Sequence, residues 1–231
     1  MLTEGELQRY DRQIMMIGTE GQERLKNSTV AIVGVGGLGS PVALYLTAAG
    51  VGRLILIDPE KPELSNLNRQ LLHWEEDLGK RPKPLSAKWK LERFNSDVEI
   101  VARPVKLTEE NIDEVLGEAH VIVDCLDSFE ARFLLDDYAK RTGKPLVHGA
   151  VEGTYGQVTT ILPGKTKTLR EIFPRVKEKK GKFPIIGPTA GVVGSIQAME
   201  VIKLITGLGE PLLNRLLIID LAHNVYELVE L

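Results

Sequence analysis

The chain has 231 residues, of which 43% are hydrophobic and 26% charged, enough material for one sizeable α/β core and far from a composition that stays disordered. Its formal net charge of −3 argues against a general nucleic-acid or anionic-membrane binder, which needs a basic excess. Cys125 is the only cysteine, so no intramolecular disulfide and no cysteine-built zinc site can form; with a polar amino terminus and no apolar run near the roughly 20 residues of a membrane span, the chain reads as cytoplasmic.

Leu7, Tyr10, Ile14, Ile17 and Leu25 recur at helical spacings among polar residues, which predicts a helical arm over residues 1–28, broken near Gly18 and Gly21. Short apolar runs follow at Thr29 to Val33, Arg53 to Ile57, Val98 to Ala102, Val121 to Asp124 and Leu146 to His148. They alternate with helical patterns starting near Leu38, Lys83, Glu109 and Ser128, the signature of βαβ units and a parallel sheet. After Gly149 the pattern changes to a strand over Tyr155 to Leu162 and then to a loop over residues 163–186, rich in Lys, Gly and Pro. That loop is too long for an ordinary connection and reads as a lid or a solvated excursion. A helix from Pro188 to Ile205 and an antiparallel pair, Leu212 to Leu221 with Asn224 to Leu231, complete one domain over residues 1–231. The expected fold class is α/β, a Rossmann-like, mostly parallel sheet with helices on both faces, extended by antiparallel carboxyl-terminal strands.

The first strand runs into Gly34-Val35-Gly36-Gly37-Leu38-Gly39 and an apolar helix, and the second strand delivers Asp58. Glycines let the backbone approach a phosphate, the helix start offers free N–H groups, and the acid suits ribose hydroxyls. This predicts a nucleotide-binding half over 29–150, without deciding among NAD, FAD and ATP. Beyond Asp58 come Ser65-Asn66-Leu67-Asn68-Arg69-Gln70 and Lys83; two cations and amides after the ribose acid suit a triphosphate. Asp127 lies just past a strand's carboxyl end, where open α/β sheets bind ligands. Asp124 reads equally as a cap or turn residue, and Cys125 as a small buried hydrophobe.

Together Arg9-Tyr10-Asp11-Arg12-Gln13, Gly34 to Gly39, Asp58, Ser65 to Gln70, Asp124-Cys125-Leu126-Asp127 with Arg132, and Gly187-Pro188 through Gly194-Ser195 to Met199-Glu200 resemble the MoeB/ThiF/HesA family, relatives of the ubiquitin-activating enzymes. The resemblance implies an ATP-dependent adenylyltransferase, working as a homodimer, that activates the carboxyl-terminal glycine of a ubiquitin-like sulfur-carrier protein for molybdopterin or thiamine synthesis. It implies a nucleotide site made of Gly34, Gly36, Gly37, Gly39, Asp58, Ser65, Asn66, Leu67, Asn68, Arg69, Lys83, Asp127 and Ser128. Within it Asp127 would hold magnesium, and Arg9, Arg69, Lys83 and Asp127 would carry the chemistry, Arg9 reaching into the neighbouring subunit. Lys80 competes with Lys83, because Gly79-Lys80-Arg81-Pro82-Lys83 is one residue longer than the family spacing. Residues 151–231 would hold the carrier, its Gly-Gly tail lying under the 163–186 loop. The chain departs from relatives that bind zinc through paired cysteines, with Thr168 and Glu171 at the first pair's positions, so no zinc is expected. That loop holds no cysteine, so sulfur would come from a separate donor protein. Adenylation of a carboxylate on modified tRNA and an NAD-dependent oxidoreductase are the alternative readings.

Overall fold

The computed structural model describes residues 1–176, 181 and 183–231. Its sheet has eight strands in the order β3-β2-β1-β4-β5-β6-β7-β8: β1 (Thr29–Val33), β2 (Arg53–Ile57), β3 (Glu99–Arg103), β4 (Val121–Asp124), β5 (Leu146–Glu152), β6 (Tyr155–Ile161), β7 (Arg215–Asp220) and β8 (Val225–Glu230). The pairings among β1 to β5 are parallel and those from β5 to β8 antiparallel. The change of direction on either side of β1 and β4 opens the crevice where doubly wound sheets bind ligands.

The β1 and β4 residues are buried on both faces, as parallel strands under helices require. One face packs Ile32, Leu54, Val123 and Val147 with Leu46, Leu91 and Val201. These last three come from α3 (Gly39–Ala49), α4 (Lys83–Phe94) and α8 (Gly187–Thr206). The other face packs Val33, Ile57 and Ile122 with Leu116 and Leu135, carried by α5 (Ile112–Leu116) and α6 (Phe129–Thr142). Inside α8, the buried Glu200 accepts hydrogen bonds from Thr160 Oγ1 and the Leu212 amide, both at 2.7 Å, which fastens the helix to the antiparallel half.

The amino-terminal arm is α1 (Glu4–Arg9) and α2 (Asp11–Lys26). Its predicted break occurs at Gly18, with φ of 69°, whereas Gly21 stays helical and gives close approach to Ile17 instead. A second break falls at Tyr10, whose buried ring lies against Gly50 and whose hydroxyl accepts from Asn95 Nδ2 at 2.8 Å.

The 163–186 segment differs from the predicted loop. Residues 169–172 form α7 (Leu169–Ile172), closed by a capping box between Thr168 and Glu171. Leu169 is buried, and Arg170 pairs with Asp137 of α6 at 2.7 Å. A single helical turn held by docking leaves no periodicity to read, which is why the sequence suggested only a loop. Lys177, Lys179, Lys180 and Lys182, which help make this segment rich in lysine, lie outside the described residues.

Candidate functional site

The glycine loop connects β1 to α3 at the switch point. At Gly34, φ is 95° and a Cβ would stand 2.4 Å from the Cys125 carbonyl oxygen; at Gly39 it would stand 2.0 Å from the Gly34 carbonyl oxygen. Neither position accepts a side chain, so the loop folds back tightly on itself. Gly36 faces the Gln70 amide and Gly37 faces Ala190 and the Arg69 stem. Among the described residues the amides of Gly36, Gly37 and Leu38 form no hydrogen bond, leaving donors for an anion at the start of α3.

Asp58, at the end of β2, accepts from the Val35 amide at 2.8 Å and from the Glu60 amide at 2.9 Å. Burial raises its pKa, opposed by the nearby Lys83 charge. His73 braces the loop from beneath. Its Nε2 donates to the Val35 carbonyl at 2.7 Å, so its Nδ1 is the acceptor facing Ser86 Oγ at 3.1 Å. Burial drives the His73 pKa down to about 4, so the imidazole is neutral near pH 7.

The segment after Asp58 wraps the mouth of the crevice. Asn66 Oδ1 accepts from the Glu63 amide at 3.0 Å, and the Asn66 carbonyl accepts from the Arg69 and Gln70 amides. Arg69 Nη1 donates to the Ser65 carbonyl and to Asn68 Oδ1, both at 2.9 Å, while Leu67 is half-buried within this turn. The first turn of α8 closes against it: a Cβ on Gly187 would stand 2.7 Å from the Asn68 carbonyl oxygen. Lys83 begins α4 with its side chain buried and its Nζ 2.6 Å from Glu60 Oε2. Lys80 is exposed.

On the opposite bank Cys125 donates its amide to the Val33 carbonyl and packs beneath Gly34. Burial pushes its thiol pKa well up, which makes it an inert filler. Asp124 is fully buried: Oδ1 accepts from the Leu126 amide at 3.0 Å, and Oδ2 accepts from His148 Nδ1 at 2.6 Å, with Arg132 Nε 3.6 Å away. Burial lowers the His148 pKa, and the neutral ring takes a hydrogen bond from Gln157 Nε2 at 3.2 Å. Arg132 also donates to the Leu126 carbonyl. This buried set fixes the turn that projects Asp127, which is exposed and has no hydrogen-bond or ion-pair partner among the described residues. Ser128 next to it caps α6, accepting from the Ala131 amide.

One predicted site residue stands apart. Arg9 donates to the Phe94 carbonyl at 3.5 Å and faces Asp97 at 3.7 Å, at the far end of α4. That helix begins at Lys83 and rises about 16 Å along its 12 residues, so Arg9 does not reach the glycine loop of its own chain. Sequence reasoning also missed Glu60, His73, His148 and Gln157. Glu60 follows the ribose acid at a spacing that could have drawn notice; the two histidines and Gln157 gave no local signal, because only the folded sheet brings them to the loop.

Among the described residues no group of three or more His, Cys, Asp or Glu could hold a metal ion. The lone free carboxylate of Asp127 fits an ion that arrives with a polyphosphate and keeps most of its waters. No helix among them is long and apolar enough to cross a membrane.

Comparison with known proteins bears on this site. Residues 10–231 match the model of the ThiF family. Protein HesA, heterocyst, from Trichormus variabilis is 42% identical over 224 residues, covering 95% of this chain and 83% of that one. The sulfur carrier protein adenylyltransferase of Thermus thermophilus is 42% identical over 231 residues, covering 94% and 84%. Among solved structures, E. coli MccB with ATP superposes with a TM-score of 0.84 at 27% identity, covering 96% of this chain and 71% of that one.

Proposed function

Because the chain belongs to the ThiF family, we propose that it is an adenylyltransferase that joins AMP from ATP to the carboxyl-terminal carboxylate of a ubiquitin-like sulfur-carrier protein. The observation that carries this reading is the convergence on one crevice of four elements: the open amides of the glycine loop, the Asp58 carboxylate, the Arg69 turn and the buried Lys83. An ATP-bound relative of the same fold and a relative named as a sulfur carrier protein adenylyltransferase support both halves of the reaction.

The chemistry asks for position and charge more than for covalent help. A carboxylate oxygen of the carrier attacks the α-phosphorus, the bond to the bridging oxygen of the β-phosphate breaks, and pyrophosphate leaves with the electron pair. No proton moves. Asp58 orients the ribose, the Gly36, Gly37 and Leu38 amides meet the phosphates, and Arg69 and Lys83 offset the charge that grows on the leaving group. Each such desolvated donor contributes on the order of 2 to 4 kcal/mol to the transition state. Asp127 would hold a magnesium ion, which supplies further charge neutralisation on the phosphate oxygens when bound.

Arg9 completes the site from a second copy of the chain. Its place at the wrong end of α4 for its own crevice supports a homodimer, as do the exposed Met15 (74%) and Met16 (68%) on the same arm. A Gly-Gly tail suits the approach to the α-phosphate, since glycine carries no side chain to hold its carboxylate away from the loop backbone. The carrier then takes its sulfur from a separate donor protein; molybdopterin and thiamine synthesis are the pathways such a carrier serves.

Carrier-dependent exchange of labelled pyrophosphate into ATP tests the function. Exchange is expected with a Gly-Gly-ending carrier and is expected to fall at least about a hundredfold in Asp127→Ala, with the fold retained. Absence of exchange with every such carrier, alongside intact ATP binding, overturns the carrier as substrate.

A further inference from the structure

Lys83 is a buried cation, with 4% of its side chain exposed, and its partner Glu60 is an exposed anion, 67% exposed, with Nζ 2.6 Å from Oε2. Among the described residues the ammonium has no other hydrogen-bond partner. The Glu60 main chain is pinned on both sides, its amide donating to Asp58 Oδ1 at 2.9 Å and its carbonyl accepting from the Lys83 amide at 2.8 Å. Its side chain is therefore free to rotate into solvent while the backbone between the ribose acid and the lysine stays in place.

A buried ammonium with no anion is costly, so some carboxylate or phosphate must face it in every state of the protein. We propose that Glu60 is a displaceable counter-ion, which occupies Lys83 while no nucleotide is bound and yields it to the phosphates of the incoming nucleotide. The inference rests on the nucleotide reading of this site and adds a residue to it that determines which ligands gain from Lys83. Phosphate oxygens are stronger acceptors than a solvated carboxylate, and a carboxylate left within a few ångströms of a triphosphate repels it. The exposed side chain leaves at little cost. A nucleoside without phosphates has nothing to offer Lys83, so for it the pair stays closed. Glu60 thus taxes phosphate-bearing ligands in proportion to the bond they must replace, and leaves the nucleoside half of the site untouched.

Calorimetric titration of the full chain with magnesium-ATP and with adenosine, on wild type, Glu60→Gln and Glu60→Ala, tests this. Both substitutions are at an exposed side chain and leave the Asp58 carboxylate, which also interacts with the Lys83 charge, beside the ammonium; circular dichroism of the unliganded variants checks that the fold is kept. The expected result is ATP affinity raised about three- to tenfold in both variants with adenosine affinity within about twofold of wild type, the gap for ATP narrowing as salt screens the repulsion. Melting with and without ATP gives a second reading: the gain in Tm from ATP should be larger in both variants. ATP binding that is unchanged or weaker in Glu60→Gln overturns the proposal, making Glu60 a fixed positioning residue for Lys83 or a bystander. Failure of the wild type to bind ATP at all contradicts the nucleotide reading itself, and the proposal falls with it; the two failures are therefore distinguishable.

Discussion

Asp58 Oδ2 accepts a hydrogen bond from the Val35 amide at 2.8 Å, so the acid that ends β2 also holds the glycine loop that follows β1. Replacing it by Ala removes a ribose acceptor and leaves the Val35 and Glu60 amides short of a partner. We expect Asp58→Ala to lose about 1 to 3 kcal/mol of stability together with most nucleotide affinity, while Asp58→Asn, whose one acceptor oxygen can serve only one of the two amides, recovers part of the stability and little of the affinity. Urea unfolding and nucleotide titration of the two variants separate these roles.

His73 makes loop integrity pH-dependent. Folded, the ring stays neutral down to about pH 4; unfolded, it takes its proton near 6.5. Between those values the unfolded chain binds more protons, so this contribution is fully present above about 6.5 and is lost as pH falls toward about 4, amounting to roughly 3 kcal/mol at the bottom of the window. Protonation of Nδ1 would cost the Ser86 hydrogen bond and set a third cation beside Lys83 and Lys90. Urea midpoints measured at about pH 7.5 and about pH 5 should show a shallower loss in His73→Gln than in wild type. His148, also held neutral by burial, supplies a slope common to both proteins.

Much of the fold was legible because its signals are local. The bounds of β1, β2 and β4 follow from apolar runs of four or five residues ending in Gly34, Asp58 and Asp124, and α4 and α8 start where Pro84 and Pro188 allow. Strand β5 runs four residues past the predicted His148 because its partner is antiparallel β6, a pairing that no short window contains. Likewise α7 is docked through the burial of Leu169 and the Arg170–Asp137 pair.

For the site, the glycine loop, Asp58 and Arg69 were readable as a motif, and in the structure Asp58 holds the Val35 amide while the Arg69 stem faces Gly37. Lys83, rather than the exposed Lys80, stands buried beside Asp58 and Glu60. Asp124 and Arg132 were read only as motif positions; the buried brace they form with His148 and Gln157 was not readable, since its members come from four elements and join only across the sheet. Thr168 and Glu171 spend their side chains on each other in the α7 capping box.

The distance from Arg9 to its own crevice predicts a site shared between two chains. Arg9→Ala and Asp127→Ala homodimers should each be inactive in carrier-dependent exchange. Mixed in equal amounts and allowed to re-associate, they should regain about one quarter of wild-type activity, because half of the dimers are mixed and each of those holds one intact site of two. No regain on mixing, with subunit exchange verified, would place Arg9's action within its own subunit, and an active Arg9→Ala homodimer would place Arg9 outside the reaction.

The most direct test of the account is the mass of the carrier itself. Incubated with the protein, ATP and magnesium, a Gly-Gly-ending carrier should gain one adenylyl group at its terminal carboxylate. That gain should vanish with Asp127→Ala and when the tail's last glycine is removed. An unmodified carrier in the presence of bound ATP, or an adenylyl group found on the enzyme instead, would contradict it.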